Sequence, residues 1–451
     1  MDLRSHQHYI ASCLAIAQDR LNGINSLAEA QLREKEINRY VRLTHLEDPR
    51  QIIEYDEERV SASSLNRARE AITQGQILFE HAAAGEGTRL MLGAKYLVNP
   101  AQDLTVEKIA RLMSQEAGKE IDPREVHSRL EQPPESLLPL ALGTRHMLQL
   151  AFELEQLAKE LGEDPNIVLQ RQHMLVIVGE EMLAHILRDF YQWQFFGFRP
   201  AHVHFLVQQS YHGLNLQKGN FFYDPGSPRR LHNHGQMVMQ QTMDQEIFTI
   251  SHELHFQKNR LPHDAVAQWL QGFKNKISFN IEDLEYLTRA LDYPNLALVL
   301  ELADQGYRMV MEVVANNPIK PQKGGMAAWD PILGRDVMIE SFQLGQIKNE
   351  EIRYLNRNFN HYPRPYEAWK QVKEHGLPMP VSVKDGYLYF QPVQGDINFL
   401  VPTAFIRRKV LRPIQNLKSP ATLPLAINRL AAQERQPGFI EFAARYRSPK
   451  Q

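Results

Sequence analysis

Cysteine is nearly absent. The 451 residues include one, Cys13, which excludes an intramolecular disulfide framework and a cysteine-based zinc site and fits a reducing, cytoplasmic setting. Charge of one sign is also missing. With a formal net charge of −2, nothing in the bulk electrostatics drives the chain toward nucleic acid or an acidic membrane. No apolar run is long enough to span a bilayer. The start, Met1-Asp2-Leu3-Arg4-Ser5-His6-Gln7-His8, lacks the charged and apolar blocks of a signal peptide. No hexapeptide repeat is present either, so a C-terminal β-helix is not expected. Hydrophobic residues at 43% and charged residues at 23% describe an ordinary globular chain of roughly two or three domain-sized units. Histidine alone is plentiful, at 18, but His252-Glu253-Leu254-His255 lacks the His-Glu-x-x-His order of a zinc protease.

What the chain does have is a small-residue loop after an apolar run. Ile77-Leu78-Phe79 is followed by Ala82-Ala83-Ala84, then Gly85-Glu86-Gly87-Thr88-Arg89, with Lys95 closing the stretch. Small residues let backbone approach a ligand closely, and successive N–H groups between strand and helix form an anion cradle. Arg89 and Lys95 add two cations to it. A dinucleotide fingerprint would need glycine at Leu90, and a Walker loop would need Gly-Lys-Ser/Thr, which is absent.

Around the loop the pattern alternates. Helical spacing runs through residues 9–70, an N-terminal helical cap. Two helices are expected near 106–116 and 124–130, inside a stretch from 96 to 139 that reads as an insertion, and another over 140–161. His173 to Val178 is a continuous apolar strand of the parallel type. A helix containing Met182, Ile186 and Phe190 follows, and then a strand over 202–209, which completes a βαβ unit. Residues 218–231 read as loop around Pro225-Gly226-Ser227-Pro228. Later strands are expected over 276–281, 307–314, 387–390 and 398–402, with a hairpin through 323–340.

Several polar constellations sit at the ends of these strands. Gln208 closes one. His232-Asn233-His234-Gly235-Gln236 opens a helix. Lys276-Ile277-Ser278-Phe279-Asn280 runs straight into Glu282 and Asp283. Paired carboxylates after a strand suit Mg²⁺, and they equally suit a helix N-terminus. Asn-rich loops such as Asn356-Arg357-Asn358 are otherwise ordinary turn chemistry.

The pattern Gly-x-Gly-Thr-Arg-Leu followed by a lysine resembles the nucleotide-binding signature of the UDP-sugar pyrophosphorylases, the UDP-N-acetylhexosamine and UTP–glucose-1-phosphate enzymes. The resemblance covers roughly Ile77 to Val401 through motifs in order. It implies a mixed, mainly parallel Rossmann-like sheet flanked by helices, with an N-terminal helical region over 1–70, a catalytic domain over 71–400 and a C-terminal helical region over 401–451. It implies formation of a UDP-sugar and pyrophosphate from UTP and a sugar 1-phosphate, with Mg²⁺ as cofactor and no nucleic-acid or membrane partner.

By the same resemblance, Ala84, Gly85, Gly87, Thr88, Gln208 and Gly235 bind the nucleotide. Arg89 and Lys95 neutralise the leaving pyrophosphate. His234 lies near the sugar phosphate, Gly325 and Glu340 line the sugar pocket, and Asn356 and Asn358 touch the sugar hydroxyls. Glu282 or Asp283 holds the metal, Asp283 being favoured by its shorter stem. Departures are visible. Ala84 stands for a glycine and Ala94 for a proline. Val178-Gly179 replaces a Thr-Ser turn. No lysine follows Asn398-Phe399-Leu400-Val401, so Arg407, Arg408 or Lys409 would have to stand in. A binding protein that kept the fold without turnover is the alternative, and a hydrolase built on His232, His234 and the carboxylates ranks last.

Overall fold

The apolar runs become strands buried on both faces. The computed structural model describes residues 7–85, 92–244, 246–251, 257–262, 264–319, 321–410, 417 and 419–447, less the side chain of Asn358. Twelve strands among these residues form one sheet: β1 (Ile52–Tyr55), β2 (Ile77–Ala82), β3 (His173–Gly179), β4 (Val203–Gln208), β5 (Phe248–Ile250), β6 (Lys258–Arg260), β7 (Asn275–Asn280), β8 (Met309–Ala315), β9 (Met326–Asp330), β10 (Arg335–Ile339), β11 (Tyr354–Pro363) and β12 (Thr403–Arg408). Their order is β1-β12-β8-β11-β7-β2-β3-β4-β5-β6, with the β9–β10 hairpin attached to β11.

The centre, β7-β2-β3-β4, is parallel, and so is the flank β1-β12-β8. The ten-residue β11 runs antiparallel between the two blocks. This is the mixed, mainly parallel sheet expected. In register, Ala82 lies opposite both Asn280 and Ile177, and Gly179 lies opposite Gln208. The C-terminal ends of four parallel strands therefore share one rim, the edge at which open α/β sheets bind ligands.

Side chains alternate across the strands, so each face has its own core. Ile77, Phe79, Met174 and Val176 face the helix Leu142–Glu160 on the back. Leu78, Leu175, Ile177 and Met311 face the front, where Tyr9, Cys13 and Ala17 of the helix Gln7–Arg20 pack at four-residue spacing, with Leu21 just beyond its end. The insertion forms the helices Val106–Ala117 and Pro123–Ser128, whose apolar faces share a satellite core with the helix Leu423–Glu434 and with Leu284 and Leu287.

Four expectations are corrected. Residues 52–55 of the N-terminal region and 403–408 of the C-terminal region are not helical; they pair with each other as the outer strands β1 and β12. Residues 398–402 are not a strand, because Gln394–Phe399 is a 3₁₀ segment. The expected loop over 218–231 holds the hairpin strand Asn220–Tyr223, paired to Leu214–Gln217, and the short strand Arg229–Arg230. No helix among the described residues is long and apolar enough to cross a membrane.

Candidate functional site

The rim is built from three groups of side chains. In the first, β2 runs into Ala83-Ala84-Gly85, tied down where Ala83 N–H donates to the Ile177 carbonyl at 2.8 Å. Lys95 N–H returns to the Gly85 carbonyl at 3.1 Å, which closes the ends of the glycine loop. The Lys95 ammonium forms an ion pair with Glu282, which follows β7. Glu282 and Asp283 are 6% and 7% exposed, and Asn280 donates its amide to Glu282 at 3.3 Å. Asp283 stands at the N-cap of the turn Leu284–Leu287, yet its side chain makes no capping hydrogen bond. Gly87, Thr88 and Arg89 lie outside the described residues, as do His252 to His255.

The second group surrounds the end of β4. Gln208 is buried and donates to the Asn233 carbonyl at 2.7 Å and to Gln236 Oε1 at 3.4 Å. His234 Nδ1 accepts the Gln394 N–H at 3.0 Å. Gly235 donates its N–H to the Pro392 carbonyl at 2.9 Å, and a Cβ there would fall 2.4 Å from the Pro392 carbonyl carbon. Only glycine permits that approach. His232 faces the interior: its Nδ1 meets the Tyr9 hydroxyl at 2.9 Å, and burial lowers its pKa to about 3. Among the described residues no group of three His, Cys, Asp or Glu side chains is gathered to hold a metal.

The third group is the pocket wall from the hairpin. Asn356 N–H donates to the Gly325 carbonyl at 3.0 Å, and Asn356 Nδ2 reaches Glu340 Oε1 at 3.5 Å. Burial raises the Glu340 carboxyl, and the Asn356 hydrogen bond offsets this only in part. Asn356 and Asn358 lie within β11 rather than in a loop. The basic run offered in place of the missing lysine, at the end of β12, is engaged by carboxylates. Arg407 pairs with Glu54 and Lys409 with Asp56, while Arg408 is buried against Glu312, Asp292 and Glu57.

What joins the three groups was not singled out in the sequence. Glu80, fully buried in β2, accepts from Lys276 at 2.8 Å, Ser278 at 2.8 Å, Gln394 at 3.0 Å and Gln241 at 3.1 Å. Burial alone would raise this carboxyl, but the Lys276 ammonium and the hydrogen bonds outweigh it, and its pKa is lowered. Gln394 thus bridges Glu80 to His234, and the next residue, Gly395, would place a Cβ 3.1 Å from Glu340 Oε1. Beside it Asp396 is fully buried; burial, then the Glu340 charge, holds its carboxyl well above the usual range. The available signal was a glutamate inside one apolar strand and a lysine inside another, since buried charge is kept only when paired.

Among solved structures, the UDP-N-acetylglucosamine pyrophosphorylase of Trypanosoma brucei, in complex with an inhibitor, is similar with a TM-score of 0.58 at 15% identity, over 92% of this chain and 84% of its own. A protein of Entamoeba histolytica assigned as a UDP-N-acetylglucosamine pyrophosphorylase gives 0.53 at 13% identity, over 84% of each chain. At this identity the likeness is one of fold, a UDP-sugar pyrophosphorylase-like fold. No family model and no curated protein matches the sequence.

Proposed function

We propose that this chain is a nucleotidyltransferase that makes a UDP-sugar and pyrophosphate from UTP and a sugar 1-phosphate. The observation that carries the reading is the ion pair between Lys95 and Glu282. It joins the residue that closes the glycine loop to the carboxylate that ends the neighbouring central strand, where the fold's ligand edge lies. In the reaction a sugar-phosphate oxygen attacks the α-phosphorus in line. A new P–O bond forms as the bond to the pyrophosphate oxygen breaks, and that electron pair leaves on pyrophosphate. Such chemistry asks little covalent work of the protein, so positioning and charge stabilisation dominate.

Lys95 and Glu282 neutralise each other in the absence of nucleotide. A triphosphate in the loop would draw Lys95 onto phosphate oxygens, with Arg89 as the second cation, beside the Glu282 and Asp283 carboxylates. Mg²⁺ fits this donor set, because it takes one or two protein carboxylates and completes its shell with phosphate oxygens and water. When bound it supplies positive charge at the reacting phosphates. Glu340 and Asn356 would meet sugar hydroxyls, and the Gln394 bridge would keep the nucleotide and sugar sides in register.

A binding protein without turnover is the second reading. It is favoured by Arg407, Arg408 and Lys409, whose ion pairs with Glu54, Glu312 and Asp56 argue against their serving as the family's late lysine. Pyrophosphate release measured across a panel of sugar 1-phosphates and nucleoside triphosphates separates the two. The enzyme should release pyrophosphate with UTP and at least one sugar. Glu282→Gln combined with Asp283→Asn should abolish the Mg²⁺-dependent release while UTP still binds, since the metal acts mainly on charge that develops in the transition state. UTP binding by the unmodified chain with no release for any sugar would sink the enzyme reading in favour of the binder.

A further inference from the structure

The proposed reaction uses Asn356 and leaves the next residue, Arg357, unaccounted for. Neighbouring side chains of a strand point to opposite faces. Asn356 reaches Glu340 on the pocket side, while Arg357 turns to the back of β11. There its guanidinium, on a side chain 3% exposed, donates to Glu312 of β8 at 2.6 Å and to Glu285 at 2.6 Å. Glu312 is itself fixed, because Arg408 of β12 donates to both of its oxygens, at 2.9 and 3.0 Å. Glu285 belongs to the turn Leu284–Leu287, which has Asp283 at its N-cap and Glu282 just before it. The register explains the meeting. β11 runs antiparallel to β7 with Ser278 opposite Asn360, so the part of β11 that precedes Asn360 passes beside the chain leaving β7 for the turn.

Two features give this contact more than a packing role. Leu284 and Leu287 anchor one side of the turn in an apolar core. The Glu285 side instead adjoins a cavity of about 250 Å³, lined by Glu285, Tyr286, Glu312 and Arg357 among others, so the ion pair is what locates Glu285 there. A buried ion pair also adds little net stability over apolar residues of similar volume, and its better use is to fix one geometry. The planar guanidinium suits that use, since its fork donates to two carboxylates at once, which the point charge of a lysine does poorly.

We propose that Arg357 is a positioning residue: held from behind by Glu312, it clamps Glu285 and thereby sets the turn that presents Glu282 and Asp283 to a divalent cation. The same residue fixes that turn relative to Asn356 on the sugar side. The identity of the cation and of the sugar side rests on the nucleotidyltransferase reading; the clamp itself does not.

Two measurements on the full chain test it. The first is amide hydrogen exchange without ligands. Glu285→Gln and Arg357→Met should each speed exchange across residues 282–287 at least about ten-fold, with the central strand His173–Gly179 unchanged. The second is the Mg²⁺ concentration for half-maximal pyrophosphate release. Both variants should raise it at least about ten-fold, the scale of losing a support behind a metal ligand, while UTP affinity without metal is unchanged. Glu285→Gln, whose side chain is 18% exposed, keeps the test decisive should Arg357→Met fail to fold. Unchanged exchange over 282–287, exchange raised evenly along the chain, or an unchanged Mg²⁺ requirement would each overturn the proposal. If the unmodified chain releases no pyrophosphate, the enzyme reading fails by itself. The second comparison is then made on the Mg²⁺ dependence of UTP affinity, where an equal dependence in Glu285→Gln and the unmodified chain overturns the clamp.

Discussion

Lys95 is asked to do two things, and its geometry explains how. Its backbone ties the glycine loop shut at Gly85, and its ammonium pairs with Glu282. Removing the ammonium leaves Glu282 buried with a lost cation and also removes a phosphate contact. A charge-assisted contact is worth on the order of 1.5–3 kcal/mol. Lys95→Ala is therefore expected to weaken UTP binding or slow turnover by roughly 10- to 100-fold without unfolding the protein, and Arg89→Ala should behave similarly. Titration calorimetry with UTP, beside steady-state pyrophosphate release, reads both effects; unchanged values in both variants would leave the loop without a role.

At the scale of elements, close approach is the controlling constraint. The helix Leu142–Glu160 meets the segment after Lys95 at Gly143, where a Cβ would lie 2.1 Å from the Tyr96 ring. That ring is fully buried, and its hydroxyl donates to Asp189 at 3.1 Å, so it has little room to move. Gly143→Ala overpacks the contact and is expected to cost about 1–3 kcal/mol, seen as a lower urea midpoint at unchanged slope. Because Tyr96 directly follows Lys95, the same substitution should also disturb nucleotide binding, whereas Gly93→Ala would isolate a positive-φ effect in a residue whose Cβ meets nothing.

For the molecule as a whole, acid is the weak side. His81, His204, His232 and His361 are each at most 3% exposed, and burial lowers them to about 3 or 4. The unfolded chain binds these protons near pH 6.5 while the folded chain refuses them until far lower pH. Their stabilisation is thus complete above pH 6.5 and is lost as pH falls toward 4. Glu153, raised to about 7 by burial, and Asp189, raised to about 6, act in the opposite sense over the upper part of that range. At pH 5 each histidine costs about 2 kcal/mol relative to neutral pH. His232→Phe should therefore flatten the difference in unfolding free energy between pH 7 and pH 5 by about 2 kcal/mol. Denaturant melts at the two pH values check this, and an unaltered difference would mean that His232 does not titrate on unfolding.

Local information sufficed for the apolar strands at 77, 173 and 203, because a period-2 or continuous apolar run is a property of a few neighbouring residues. It failed wherever identity depends on a distant partner. Residues 52–55 are a strand because β12 offers a free edge, and nothing within four residues of β1 announces that. Arg357 and Arg408 look like surface or substrate cations in the sequence, yet their pleat positions turn both to the back, onto Glu312. Gly235 is required by the Pro392 backbone, and Gln394 becomes the junction of the site through Glu80 and His234. The sequence by itself determined which residues can form strands and carry charge. Tertiary structure decided which face each charge occupies and which partner, 187 residues away for Lys95 and Glu282, allows it to be buried, since burial of a charge is stable only with that partner in place.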